Sequence, residues 1–184
     1  MKITETSIKG LLIIEPRIFN DGRGYFFESY SKAKFHDAGI DIDFVQDNQS
    51  FSHKGAVRGL HAQFAPHAQA KLVRVIQGRV LDVAVDARRG SPTYGKYETI
   101  ELSGENQLQF FIPEGFLHGF ATLEDNTIFT YKVNNYYSKE CETGVKWNDP
   151  TLNINWGIEE ADAIISPKDE VLPLFSSYES PFFV

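Results

Sequence analysis

Between Leu72 and Gly95 the chain reads LVRVIQGRVLDVAVDARRGSPTYG, and no other stretch constrains the fold as tightly. Val73 and Val75 alternate with Leu72 and Arg74, Gly78 interrupts the run, and Leu81, Val83 and Val85 then alternate with Asp82 and Asp86. A period of two is the signature of a strand, whereas a helix would bring apolar residues together every three or four positions. The stretch therefore predicts two strands joined near Gln77-Gly78. Runs rich in Val, Ile, Phe and Tyr recur along the chain, and FFIPEGFLHGFATL predicts another pair of strands around a tight turn at Pro113 and Gly115. Helical periodicity is scarce. One short helix is expected over Ser31–Ala38, with Ser31 as its N-cap and Gly39 as its stop. The tail from Ser166 onward, Pro-punctuated and aromatic, reads as irregular structure packed over a core. With no repeat, linker or low-complexity tract, residues 1–184 are expected to form one all-β domain, a sandwich or jelly roll with a few short helices.

Fifteen Phe and eight Tyr within a 42% hydrophobic chain supply enough apolar surface for such a core. A formal net charge of −7 argues against a nucleic acid held on a broad basic face. A local group of Arg and Lys in a cleft would still suit a small anion. The sole cysteine, Cys141, excludes an internal disulfide and a thiolate zinc cluster, so a reducing cytoplasmic setting is expected. The apolar run Leu11–Ile14 is far too short for a secretory or membrane-spanning segment, so no membrane association is expected.

The chemistry gathers around RGLHAQFAPHAQAKL, Arg58 to Leu72. On a strand His61 and Gln63 share a face, with Arg58 near the strand's start and Lys71 further on, which gives a basic, hydrogen-bonding surface. A metal reading would pair His61 with His118 of IPEGFLHGF. However, Gln63 stands where a His-x-His pair would need its second ligand, and His67 lies in a turn at Pro66, so the set falls short of three good ligands. An acid–base reading fits better. An imidazole titrates near neutral pH, which suits His61 as base, and Lys71 suits stabilisation of developing negative charge. Tyr131 of FTYKVNNYY is a candidate proton donor, and Tyr136 and Tyr137 are candidate stacking surfaces. Asp82 and Asp169 both qualify as the carboxylate that orients the base, and spacing does not choose between them.

These blocks also carry a resemblance. FNDGRGYFFESY, VQDNQSFSHKGAVRGLHAQ, KLVRVIQGRVLDVAVDARRGSPTYGKY, IPEGFLHGFATLED, YKVNNYYSKE, WNDPTLNINW and SPKD, in this order along most of the chain, resemble the dTDP-4-dehydrorhamnose 3,5-epimerase family. The resemblance implies a cupin-like jelly roll, a homodimer, no metal and no cofactor. It also implies conversion of dTDP-4-dehydro-6-deoxy-D-glucose to dTDP-4-dehydro-L-rhamnose. Residue by residue, it makes His61 the base, Asp169 its orienting partner and Tyr131 the proton donor, and leaves Asp82 a structural role. Removing a hydrogen from carbon 3 or carbon 5, which flank the ketone, leaves an enolate, whose charge Lys71 would stabilise. Arg23 and Arg58 would take the diphosphate, and Phe26, Glu28, Gln46 and Asn48 the thymidine and sugar. Gln63, His118, Tyr137, Glu142 and Lys168 complete the expected shell. The rivals are an epimerase acting at one carbon only, a metal-dependent cupin, and a sugar-nucleotide binding module without turnover.

Overall fold

The alternating runs fold as strands, and the computed structural model describes residues Met1–Val184. The strands are β1 Lys2–Glu5, β2 Leu12–Glu15, β3 Phe19–Asp21, β4 Gly24–Phe26, β5 Gln46–Ser52, β6 Val57–Gln63 and β7 Lys71–Gln77. They continue with β8 Arg79–Asp86, β9 Tyr97–Ser103, β10 Gln109–Ile112, β11 Phe116–Thr122, β12 Thr127–Val133 and β13 Glu142–Gly144. Two short α-helices, α1 Lys32–Asp37 and α2 Pro167–Glu170, and three single 3-10 turns at Lys139–Cys141, Glu160–Asp162 and Phe175–Ser177 complete the set. A six-stranded sheet in the order β1-β2-β10-β7-β12-β5 faces a five-stranded sheet in the order β13-β6-β11-β8-β9, and β3 and β4 form a separate hairpin. This is the expected all-β jelly roll, cupin-like in architecture.

From β5 to β8 each successive strand lies in the opposite sheet, and so does each from β9 to β12. This refines the sequence reading at two turns. β7 and β8 do flank Gly78, and β10 and β11 do flank Pro113 and Gly115, but neither pair forms a hairpin: each turn is a corner where the chain crosses between sheets. Gly78 is suited to such a corner, because its φ is +79° and a Cβ there would stand 2.2 Å from Thr127 Oγ1. The consequence is functional: residues from both halves of a local motif end up facing one another across the interior.

Val73, Val75, Val80, Ala84, Phe110 and Phe129 belong to the core between the sheets. Leu60, Val83, Val85 and Leu117 point the other way, onto the outer face of the five-stranded sheet, where Trp147 and Phe182 cover them. Both faces of β8 are thus buried, and its alternation separates two cores rather than core from solvent. α1, within the expected Ser31–Ala38 span, is too short to be stable alone and is pinned by Phe35 to Leu72 and Phe111 on the outer face of the six-stranded sheet. Beside it the Phe27 ring lies 5.4 Å from the Arg74 guanidinium and the Ser29 carbonyl accepts from Gln109 Nε2 at 2.8 Å, while Phe51 and Ile76 are exposed. The tail packs over the core as expected but is not wholly irregular: α2 forms at SPKD, where the Asp169 N–H donates to Ser166 Oγ at 3.2 Å and Pro167 occupies the first turn. No helix is long and apolar enough to cross a membrane.

Candidate active site

A bulge in β6 sets the site. In a regular strand Arg58 and His61, three residues apart, would face opposite ways. Here His118 of β11 pairs with His61 while Phe120 pairs with Arg58, so Gly59 and Leu60 together stand opposite Gly119 and the strand is re-phased. Gly59 has φ +128°, and a Cβ on it would lie 2.5 Å from the Gly119 Cα and 2.7 Å from the His118 carbonyl oxygen. Only glycine fits this approach of two backbones. Both Arg58 and His61 therefore line the same cavity, about 660 Å3 in volume, between the sheets.

His61 and His118 enter that cavity from the five-stranded sheet, and Lys71, Tyr131 and Asn48 from the six-stranded one. His61 Nε2 lies 2.6 Å from Asp169 Oδ1, and Asp169 is 3% exposed. Burial works to raise the Asp169 carboxyl, but the hydrogen bond and charge of His61, helped by the Gly59 backbone and the Ser166 hydroxyl, outweigh it and hold it below the usual carboxylate range. An Nε2–H donated to an ionised Asp169 leaves the lone pair on Nδ1, the arrangement a general base needs.

Across the cavity Tyr131 sits in β12, in register with Asn48 of β5 and Val73 of β7. Burial raises its phenol, with Arg58 opposing and Glu142 reinforcing the shift, so it stays protonated and able to donate. Lys71, on the same face of β7 as Val73, is pushed down to about 8 by burial, against the pull of Asp82 and Glu142. Arg58 is steadied by Nε donating to Ser52 Oγ at 3.2 Å and Nη2 donating to the Phe51 carbonyl at 3.2 Å. Gln46 Nε2 donates to Asn48 Oδ1 at 2.8 Å. Tyr137 OH donates to Glu142 Oε2 at 3.0 Å, and Lys168, which lines the cavity, pairs with Glu142 Oε1.

Seven expected residues do not line the cavity: Gln46, Tyr137 and Glu142 join it only through Asn48 and Lys168, and Gln63, Arg23, Phe26 and Glu28 are elsewhere. Gln63 is buried and its amide is spent on loops, donating to the carbonyls of His67 at 2.7 Å and Tyr136 at 3.2 Å and accepting from the Ser138 N–H at 2.8 Å. Arg23 and Phe26 project on the β3–β4 hairpin and Glu28 follows it; Arg23 pairs with Asp21 at 2.6 Å, Glu28 pairs with Lys34, and none of the three lines the cavity. Of the two candidate carboxylates, Asp169 is the one beside His61, while Asp82 lies 2.9 Å from His118 Nε2. Sequence reasoning passed over Ser166, which anchors Asp169, and Ser50, a cavity-lining residue whose buried hydroxyl lacks a partner. The Ser-Pro-x-Asp pattern was itself a helix-start signal. No group of three or more His, Cys, Asp or Glu converges as a metal site would require, and each cavity histidine spends Nε2 on a carboxylate.

Such a cavity can remove a proton next to a carbonyl from one side, hold the resulting oxyanion, and return a proton from the other side. Comparison with known proteins points to the same chemistry. Residues 5–177 match the family model for dTDP-4-dehydrorhamnose 3,5-epimerase. A dTDP-4-dehydrorhamnose 3,5-epimerase of Shigella flexneri is 49% identical over 170 residues, covering 92% of this chain and 93% of the relative. The crystal structure of a dTDP-4-dehydrorhamnose 3,5-epimerase from Elizabethkingia anophelis NUHP1 superposes with TM-score 0.92 at 52% identity, covering 96% and 97% of the two chains. A Legionella pneumophila dTDP-6-deoxy-D-glucose-3,5-epimerase, solved in complex with dTDP-4-keto-L-rhamnose, superposes with TM-score 0.92 at 46% identity over 97% and 94%.

Proposed function

Since the chain belongs to the dTDP-4-dehydrorhamnose 3,5-epimerase family, we propose that His61, oriented by Asp169, is its general base and Tyr131 its proton donor, with Lys71 stabilising the enolate. The enzyme is an isomerase that inverts carbons 3 and 5 of a 4-keto-6-deoxy sugar carried on dTDP, a step of dTDP-rhamnose biosynthesis. The observation that carries the assignment is that His61 and Tyr131 reach one cavity from opposite sheets. Inversion demands this: a proton must leave one face of the ring and return to the other. The ketone makes both ring protons acidic, and one preorganised donor such as Lys71 lowers the barrier by roughly 3 to 4 kcal/mol. Arg58 takes the diphosphate with its planar fork, and Asn48, Gln46, His118 and the Tyr137–Glu142–Lys168 group complete the sugar-nucleotide shell. Gln63 supports this shell indirectly by bracing the loop that carries Tyr136 and Ser138.

We assign residues 1–184 to one domain, the working unit to a homodimer, and the compartment to the cytoplasm, where the lone thiol of Cys141 stays reduced. The dimer is supported by the hairpin that carries Arg23 and Phe26, since Phe19, Tyr25 and Phe26 are 50%, 58% and 68% exposed on it. Phe51 and Ile76 are also exposed on the outer face of the six-stranded sheet. A second copy laid on that face would cover the aromatics and bring Arg23, Phe26 and Glu28 toward a neighbouring cavity they do not reach in their own chain. Incubation with dTDP-4-dehydro-6-deoxy-D-glucose in deuterium oxide tests the reaction: deuterium at both carbon 3 and carbon 5 of an L-configured product is expected. Uptake at only one carbon would overturn double inversion, and sedimentation as a monomer at micromolar concentration would overturn the dimer.

A further inference from the structure

Asp82 has no exposure to solvent and touches one polar group, His118 Nε2, at 2.9 and 3.1 Å from its two carboxylate oxygens. Its neighbours on the same face of β8 are Val80 and Ala84, both fully buried. Packing gives no reason for a carboxylate here, because an apolar side chain would fill the place without the several kcal/mol that desolvating an ion costs. Lys71 poses the complementary problem: its ammonium lies in the same cavity yet forms no direct ion pair. The two belong together. We infer that Asp82 is the positioning residue of the cavity floor: it holds His118 through Nε2 and supplies the counter-charge that keeps the Lys71 ammonium available to the enolate.

The groups facing Lys71 can be taken element by element. β8 offers Asp82, β11 His118, β6 His61 and Arg58, β12 Tyr131, β13 Glu142, and α2 Lys168 and Asp169. Asp82 and Glu142 are the anions among them that raise Lys71, with Asp82 the larger contributor, while burial pulls it down to about 8. Glu142 is already committed to Lys168 and Tyr137, whereas Asp82, whose carboxyl is raised by burial against the pull of His118 and Lys71, has no partner within 4.0 Å besides the His118 ring, which burial shifts toward its neutral form. The register seats this arrangement beside the base, because His118 is the direct cross-strand partner of His61. With Nε2 held by Asp82, the other ring nitrogen, which makes no hydrogen bond within the chain, is left for the substrate.

The inference rests on the epimerase reading and names how one of its charges is maintained. The test is Asp82→Asn, which keeps the shape and a hydrogen bond to His118 but removes the charge. The wild-type kcat should fall as pH rises through about 8, where Lys71 loses its proton. In the variant that alkaline limb should move down by roughly one pH unit or more, the scale expected for a close opposite charge. kcat near pH 8 should drop about fivefold or more and partly recover at lower pH, with dTDP affinity by calorimetry unchanged. An unshifted limb, whether kcat is normal or uniformly reduced at all pH values, would overturn the inference and leave Asp82 a purely structural group. If Asp82→Asn does not fold, Asp82→Ser, whose hydroxyl can also meet His118, is judged on the same limb. A wild-type enzyme that takes up no deuterium from solvent would sink the epimerase reading and this inference together.

Discussion

Asp169→Asn removes one negative charge from a carboxylate 3% exposed and 2.6 Å from His61 Nε2. When His61 takes the substrate proton it becomes an imidazolium, and the carboxylate then makes a charge-assisted hydrogen bond that an amide cannot match. Such bonds are worth about 1.5 to 3 kcal/mol against about 0.5 to 1.5 for neutral ones, and the difference of about 1 to 1.5 kcal/mol corresponds to roughly 5- to 13-fold in kcat. A second loss adds to this. If the amide turns its NH2 toward Nε2, the imidazole proton moves to Nδ1 and the basic lone pair no longer faces the ring. The expected result is a fall in kcat of at least about 5-fold with KM for the sugar nucleotide within a factor of about three, since Asp169 acts through His61. Product formation would be followed by proton NMR, with thermal unfolding to verify that the fold is intact. A folded Asp169→Asn enzyme with kcat within threefold of wild type would refute the orienting role.

Two further outcomes follow from the scaffold. Gly59→Ala would place a methyl 2.5 Å from the Gly119 Cα on a backbone at φ +128°, so it should cost about 2 to 4 kcal/mol in urea unfolding and misalign His61; unchanged stability would contradict the bulge. Asp86 is held down to about 2: burial would raise it, but hydrogen bonds from Arg88, Ser91 and Thr93 prevail. A depressed carboxyl stabilises the fold above its unfolded pKa near 4 and loses that contribution as pH falls through about 2, so Asp86→Asn should remove about 2 kcal/mol of acid-sensitive stability. Parallel pH–stability curves for the two proteins between about pH 4 and 2 would contradict this.

Much of the architecture was legible because strand period and turn residues are local properties. Val73, Val75, Val83 and Val85 announced strands, and Gly78 announced a reversal. Whether a reversal returns the chain to its neighbour or carries it across to another sheet depends on long-range packing, and so the crossing between sheets at Gly78 and at Pro113 was not legible. The chemistry-bearing blocks were visible as RGLH, YK and SPKD, but their convergence was not, because His61 and Asp169 are 108 residues apart. Sequence alternation also could not show that Gly59 adds a residue to β6, which turns Arg58 to the same cavity as His61. Gln63 looked like a site residue by its period-two spacing, and only the loop carbonyls of His67 and Tyr136 reveal where its amide is used. Arg23, Phe26 and Glu28 came from the resemblance alone, and a single chain does not bring them to the cavity.

The central claim is that proton removal and proton return come from opposite sheets, and Tyr131→Phe separates the two in one experiment. In deuterium oxide this variant should still exchange ring protons of the 4-keto sugar through His61, leaving deuterium in recovered substrate of unchanged configuration, while the inverted product disappears. Inverted product at the wild-type rate, or loss of exchange equal to that in His61→Ala, would contradict the account.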